Sequence, residues 1–235
     1  MSDQPTAEII GEPFLADVDA FEAAVLAQQE TPSEHYDESY FADDWREGDN
    51  RYDLDTRRRL EGRNPELIKD VFSPEKVLDV GCGPGFLMYL LSELGVDVEG
   101  VDYAEASLTL APPEIRDRIT IGETSDAHGA DRGYDLVICR EVFEHLTVIQ
   151  VRETVRQICR ASSRYVYATT RFHPDPSNLL DFTTQFEVDP SHITLLAKDF
   201  LRVLFVLEGF RRRADLEERM DWGGKNRVLV YERAG

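Results

Sequence analysis

The sequence predicts an α/β fold with a largely parallel sheet and helices on both of its faces. One observation is a short apolar strand, residues 77 to 80, that runs directly into a turn with glycines at positions 81, 83 and 85. The other is that strand-like apolar runs alternate with helical runs from residue 77 to residue 169. Such alternation is typical of parallel βαβ units, in which every strand is covered on both sides.

The glycine turn is suited to binding a ligand through its backbone. Glycines at Gly81, Gly83 and Gly85 allow a sharp turn and leave no side chain between the backbone and a ligand. A helical run follows from Phe86, so the turn opens a helix whose first N–H groups can bind polar ligand groups. The next strand ends at Asp102, roughly 20 residues after the turn, where a carboxylate accepts hydrogen bonds from ribose hydroxyls. These features predict a nucleotide-like ligand.

These motifs resemble those of class I S-adenosylmethionine (SAM) dependent methyltransferases. The spacing is Gly-x-Gly-x-Gly, unlike the Gly-x-Gly-x-x-Gly of dinucleotide enzymes, and Asp79 lies two positions before the first glycine. A third block, Tyr134–Leu146, is similar to the fourth strand of the family and its following Glu-His-Leu segment. The resemblance covers residues 66 to 233. It implies SAM as cofactor and methyl transfer as the reaction, and it is not specific for the substrate.

The resemblance also implies the details of the α/β fold. It predicts a Rossmann-like seven-stranded sheet with helices on both faces, an N-terminal helical lid and an inserted substrate loop after strand five. We expect an acidic arm with a helical and aromatic lid over residues 1–65, a SAM-binding domain over 66–235, and the loop insertion at 171–199. The predicted strands are 77–80, 97–101, 118–122, 135–139 and 164–169, and the predicted helices are 17–29, 51–60, 65–72, 85–94, 104–110, 148–161 and 197–208. Segments 211–217 and 227–233 are predicted to close the sheet as an antiparallel pair.

Composition narrows the choice of partners. The 235 residues carry a net charge of -20, and residues 1–50 hold fourteen acidic residues against one basic residue, Arg46. Such a surface repels phosphate backbones, so we expect no nucleic acid partner. The arm itself is interpreted as a solvated face, with recognition of a cationic substrate or a salt-adapted host as alternatives. No apolar run is long enough to span a membrane, no signal peptide is recognised, and three scattered cysteines indicate a reducing cytoplasm. A homodimer is possible.

The resemblance places the cofactor on three strand ends. The residues that it assigns to cofactor binding are Asp79, Gly81, Cys82, Gly83, Gly85, Asp102, Tyr103, Glu123, Thr124 and Arg140. An acid after the third strand is expected to bind the adenine amino group, and Glu123 is favoured over Asp126 because it precedes Asp135 by the interval seen in relatives. Arg140 is an alternative ligand for a substrate carboxylate or phosphate, or a member of a structural ion pair.

Three histidines are candidates for a general base, because imidazole titrates near neutral pH. They are His192, His145 and His173, with His192 ranked first because it follows Asp189-Pro190 and precedes a helix. Expected substrate contacts are Tyr36, Tyr40, Trp45 and Arg171. A zinc site at His173, Asp175 and His192 lacks a recognised ligand spacing, so no metal is expected.

The histidines favour O-methylation over N-methylation of a small molecule: a secondary metabolite, a sugar or a carboxylic acid. Methylation of a protein or peptide side chain is the alternative within the enzyme class. A SAM-binding regulatory or partner protein without activity is the alternative outside it.

Overall fold

A seven-stranded sheet forms the centre of the protein. The structure is a computed structural model that describes residues 18–42, 51–124, 132–174, 180–181, 189 and 191–235. The strands are β1 (Lys76–Val80), β2 (Asp97–Asp102), β3 (Ile119–Ile121), β4 (Tyr134–Arg140), β5 (Ser162–Thr169), β6 (Leu180–Asp181), β7 (Leu195–Leu196), β8 (Phe210–Arg212) and β9 (Val228–Arg233). The sheet order is β3-β2-β1-β4-β5-β9-β8, and β6 pairs with β7 in a separate small sheet. The first five strands of this order run parallel, whereas β9 is antiparallel to β5 and β8.

Nine helices are found in the described part of the chain. They are α1 (Val18–Ala27), α2 (Glu38–Ala42), α3 (Leu54–Glu61), α4 (Asn64–Phe72), α5 (Phe86–Glu93), α6 (Ala106–Leu110), α7 (Val148–Ala161), α8 (Lys198–Leu207) and α9 (Ala214–Met220). None of these helices combines the length and the apolar character that crossing a membrane requires.

Side chains of each central strand enter two separate cores. In β4, Val137 and Cys139 pack with α7 and α8 on one face, while Leu136 and Ile138 pack with α4 and α5 on the other. This division follows from the two-residue period of a strand, which sends successive side chains to opposite faces. The same period puts Arg140, the last residue of β4, on the face that α3 and α4 cover.

The predicted seven-stranded α/β sheet with helices on both faces is confirmed, and α7 has the predicted bounds. One predicted element is wrong. Residues 211–217 were expected to form a strand, but β8 ends at Arg212 and α9 follows. Leu216 and Met220, four residues apart, are both buried against the sheet, and this is helical spacing. Trp45, Asp126, Asp175 and most of the predicted loop lie outside the described residues.

Candidate active site

The glycine turn joins β1 to α5 in a backbone conformation that favours glycine. Gly81, Gly83 and Gly85 all have positive φ, at 72°, 53° and 74°. The N–H of Gly81 donates to the carbonyl of Val101 at 2.8 Å, which anchors the turn to the neighbouring strand. A β-carbon at Gly85 would lie 2.6 Å from the side chain of Ile115. The turn therefore has little room for any other residue at this position.

Asp102 connects the glycine turn to the segment that follows β2. Its carboxylate accepts hydrogen bonds from the N–H of Gly83 at 2.7 Å, the N–H of Ala104 at 2.9 Å and the hydroxyl of Ser107 at 2.8 Å. Burial raises the pKa of Asp102, and these hydrogen bonds oppose that effect by stabilising the ionised carboxylate. The side chain is thus held in one orientation at the edge of a cavity.

This first cavity, which we call the cofactor cavity, has a volume of about 770 Å³ including its open mouth. Its lining residues are Thr31, Tyr36, Tyr40, Phe41, Tyr52, Gly81, Gly83, Asp102, Tyr103, Glu123, Thr124, Glu141, Val142, His145, Leu146 and Gln150. The structure thus brings together six of the predicted cofactor residues, from the ends of β1, β2 and β3. Four others, Asp79, Cys82, Gly85 and Arg140, are not part of the lining.

Asp79 and Arg140 belong to a charged group behind the glycine turn. Arg140 Nη1 lies 2.8 Å from the carboxylate of Glu61 on α3, so this arginine forms the ion pair that was one of its three predicted roles. Burial would raise the pKa of Glu61, but Arg140 and the amide of Asn64 lower it below its usual range. Burial raises the pKa of Asp79 to about 7, even though Arg140 acts in the opposite direction. Asp79 therefore changes charge near neutral pH.

A second and larger cavity, the acceptor cavity, has a volume of about 2050 Å³ including its open mouth. It is bounded by α3, the ends of β4 and β5, and the loop between α9 and β9. Five basic side chains are among those that line it: Arg57, Arg140, Arg171, Lys225 and Arg227. Four residues line both cavities: Tyr40, Tyr52, Glu141 and His145. The two cavities therefore meet at these four side chains.

The three candidate histidines differ in their position. His145 lines both cavities and His192 lines the acceptor cavity, whereas His173, which is buried, is absent from both linings. The rings of His145 and His192 meet edge to face, with centroids 4.6 Å apart. Of the predicted substrate contacts, Tyr36 lines the cofactor cavity, Arg171 the acceptor cavity and Tyr40 both.

A buried polar network surrounds His145. Ser191 Oγ lies 2.9 Å from His145 Nδ1 and donates to the carboxylate of Asp189 at 2.6 Å. The hydroxyl of Tyr40 donates to the other oxygen of Asp189 at 3.1 Å. Sequence reasoning missed Ser191, although a hydroxyl residue directly between an aspartate segment and a histidine was a local signal. Only the fold brings it to His145, which is 46 residues away in the chain.

Glu144, His145 and His192 have potential metal-ligating atoms within 4.8 Å of one another. Each of them already has a protein partner nearby. Thr170 donates to Glu144 at 2.6 Å, Ser191 contacts His145, and Asp189 lies 3.7 Å from His192 Nε2. Burial raises the pKa of Glu144 well above its usual range, which favours the neutral acid and weakens its affinity for a cation. The expected absence of a metal stays a prediction.

The fold and the glycine-turn cavity define a class of protein, the class I SAM-dependent methyltransferases. Residues 52–213 match the family described as "Methyltransferase domain", and the chain belongs to this family. The resemblance stated from the motifs is therefore confirmed. A SAM-dependent methyltransferase from Archaeoglobus fulgidus has the same fold, with a TM-score of 0.62 at 16% identity, over 83% of this chain and 99% of that one. Magnesium protoporphyrin IX methyltransferase from Synechocystis, solved with bound S-adenosylhomocysteine (SAH), gives 0.60 at 18% identity, over 86% and 97%.

Among curated relatives, the ubiquinone biosynthesis O-methyltransferase of Hydrogenovibrio crunogenus is 38% identical over 89 residues. The alignment covers 34% of this chain and 37% of that protein. The chain therefore spans only about a third of the length of this relative.

Proposed function

We propose that this protein transfers a methyl group from SAM to a small-molecule acceptor, and that O-methylation is favoured over N-methylation. The observation that carries the proposal is the meeting of two cavities at Tyr40, Tyr52, Glu141 and His145. One cavity has the lining expected for a nucleoside ligand, and the larger one has room for an acceptor. Group transfer requires this arrangement, because the two reactants must be held in contact and in line.

The residues of the cofactor cavity fit SAM. Asp102 and Glu123 offer carboxylates for ribose hydroxyls and an adenine amino group, and the backbone at Gly81 and Gly83 allows close approach. Asp79, when ionised, supplies negative charge behind the turn, where it favours a cationic ligand. When bound, SAM supplies an activated methyl group on a sulfonium, so the chain itself has to align the acceptor and exclude water.

The aromatic residues of the N-terminal segment are placed to exclude water from the cofactor cavity. Tyr36, Tyr40 and Phe41 line the cofactor cavity from one side and pack on one another edge to face. Gln28 holds α1 against the body, because its amide donates to the carbonyl of Ile193 and the hydroxyl of Thr194. The segment thus covers the cofactor cavity as a lid.

The lining of the acceptor cavity favours a carboxylic acid among the three acceptor classes. Five basic residues face this cavity in a chain whose net charge is -20. Two of these basic residues pair with carboxylates of the same lining, Arg140 with Glu61 and Arg227 with Glu141 at 3.5 Å, while Asp189 and Asp221 accept hydrogen bonds from within the protein. Burial raises the pKa of Glu144 well above its usual range, which favours the neutral acid. The other three basic residues of the lining, Arg57, Arg171 and Lys225, favour an anionic group on the acceptor. The protein is expected to act in the cytoplasm, as a monomer or a homodimer.

The test is formation of SAH from SAM in the presence of pooled phenols, sugars and carboxylic acids. We expect turnover with at least one pool, with hydroxylated carboxylic acids ahead of matched esters. In a parallel assay, turnover with pooled peptides but with none of these small molecules would support the side-chain alternative. SAM binding without turnover in any pool would support a regulatory or partner role and contradict the proposal.

A further inference from the structure

The carboxylate of Asp189 is the fixed end of the network around His145. It is 5% exposed, and its Oδ1 accepts from the N–H of Ser191 at 2.9 Å and from the hydroxyl of Ser191 at 2.6 Å. Burial opposes ionisation, but these hydrogen bonds, together with the nearby His145 and His192, outweigh it and lower the pKa of Asp189. Asp189 is therefore an ionised carboxylate at neutral pH, and an ionised carboxylate only accepts hydrogen bonds.

The hydroxyl proton of Ser191 is used in the hydrogen bond to Asp189. A serine hydroxyl has one proton to donate, and the short contact with an anionic acceptor takes it. The oxygen also interacts with Tyr36, and its contact of 2.9 Å with His145 Nδ1 must be one in which the oxygen accepts. It follows that Nδ1 carries a proton, and in neutral imidazole the lone pair lies on Nε2. The Tyr36 hydroxyl also approaches Nδ1, at a longer distance of 3.4 Å.

We propose that Asp189 and Ser191 are positioning residues that hold neutral His145 with its proton on Nδ1, so that Nε2 is the atom that removes the proton of an acceptor hydroxyl. This inference rests on the proposed function and adds the identity and tautomer of the base. It also favours His145 over His192, because His145 lines both cavities.

The step balances in protons and electrons. The O–H bond of the acceptor breaks and an N–H bond forms at Nε2. The acceptor oxygen bonds to the methyl carbon, while the carbon–sulfur bond breaks and its electron pair stays on sulfur. The imidazolium that forms donates from Nδ1 to Ser191, and the negative charge of Asp189 stabilises it through the serine before the proton leaves to water. The logic is that of a serine-protease triad, in which a carboxylate orients and stabilises a histidine.

Other ionisable groups act on His145 from each neighbouring element. Glu141 and Glu144 lie on its own segment, and Tyr36 and Tyr40 come from the N-terminal segment. Asp189 and His192 come from the segment before α8, and Arg171, which follows β5, acts on Glu144. Among these, Asp189 is the anion tied to His145 by a chain of hydrogen bonds, so the network is expected to raise the affinity of His145 for a proton.

Nuclear magnetic resonance (NMR) on protein labelled with ¹⁵N in the imidazole rings tests the tautomer without any acceptor. At a pH where His145 is neutral, its resonances should show the proton on Nδ1, and in Ser191→Ala they should shift toward the other tautomer. A wild-type His145 with its proton on Nε2 would overturn the proposal. Because this readout needs neither SAM nor turnover, its failure is separate from failure of the proposed function.

The second test measures kcat and its pH dependence, with the acceptor pool that gives turnover. Ser191→Ala keeps the backbone N–H to Asp189, so the turn should persist, while kcat should fall about 10- to 100-fold. The acidic limb of the pH profile, where the base loses its proton, should move to lower pH, and Ser191→Thr should restore both kcat and the profile. Ser162→Ala, which removes a buried hydroxyl that bonds Tyr165 at the start of β5, is the matched control. Equal kcat and pH profile in Ser191→Ala and wild type, or loss of wild-type activity on treatment with EDTA, would contradict the assignment.

Discussion

Asp102 accepts a hydrogen bond from the backbone N–H of Gly83 at a distance of 2.7 Å. The contact joins the end of β2 to the glycine turn after β1, across 19 positions of the chain. The two motifs that identify the family are therefore physically connected. A ligand that contacts one of them also depends on the position of the other.

The first prediction concerns Asp79, whose pKa burial raises to about 7. In the unfolded chain the same carboxyl has a pKa of about 3.9, so between these values the folded state binds a proton that the unfolded state has released. This group therefore lowers the free energy of unfolding as pH rises through this window. Asp79→Asn should be more stable than wild type at pH 8 by about 2 to 4 kcal/mol, and show a much smaller difference at pH 4.

Urea denaturation of both proteins at the two pH values measures this difference. Other buried acids such as Glu144 contribute equally to wild type and variant, so they cancel in the comparison. A stability difference that does not change with pH would contradict a raised pKa at Asp79.

The second prediction ranks the histidines. Because His145 lines both cavities and His192 only the larger one, His145→Ala should lower kcat about 100-fold or more, with SAM affinity nearly intact. His192→Ala should lower kcat less, and His173→Ala least. Steady-state kinetics with an accepted substrate give the order. Full turnover in His145→Ala would show that His145 is not the base. The reaction would then depend on another histidine or only on the alignment of acceptor and methyl group.

The third prediction tests the lid through Gln28. Its amide donates to Ile193 and Thr194, and its carbonyl accepts from the N–H of Val148 at 2.9 Å. Gln28→Ala removes hydrogen bonds that contribute about 1 kcal/mol each. Part of this loss favours opening of the lid and the rest lowers the stability of the whole fold, so SAM binding should weaken about five-fold. Calorimetry measures it. Gln29→Ala, whose side chain bonds only locally to Ala27 among the interactions described, is the control, and equal affinities in both variants would contradict the lid.

The fourth prediction excludes nucleic acid as partner. The net charge of -20 should prevent binding to duplex DNA and to RNA even at low salt. A gel-shift assay is sufficient. A shift that disappears as salt is raised would reveal release of counterions from phosphates and would contradict the small-molecule proposal.

Local sequence patterns were sufficient to predict most of the sheet. Val77 and Leu78 before the glycine turn, and Val137 with its apolar neighbours, form runs that are apolar on both faces, as buried parallel strands require. The helix α9 was missed because Arg211–Glu217 contains alternating charged residues that fit a strand as well as a helix. The decisive signal was the burial of Leu216 with Met220, which is a tertiary property.

The site was predictable where its residues follow strand ends. Gly81, Gly83 and Asp102 come together because the carboxyl ends of parallel strands share one edge of the sheet. The pair between Glu61 and Arg140 joins residues 79 positions apart, and the contact between Ser191 and His145 depends on the path of a long connection. In both pairs, the residues next to one partner in the sequence do not indicate the other partner. The sequence therefore suggested several roles for Arg140 and none for Ser191.

The most direct test of the account is calorimetric titration of SAM against wild type, Asp102→Ala and Asp97→Ala. Asp97 is an exposed acid at the start of the same strand and pairs with Arg118 on the surface, so it is the matched control. We expect that wild type and Asp97→Ala bind SAM equally, that Asp102→Ala loses about 2 to 3 kcal/mol of binding free energy, and that NADH does not bind. Equal SAM affinity in wild type and Asp102→Ala, or no SAM binding by wild type, would contradict it.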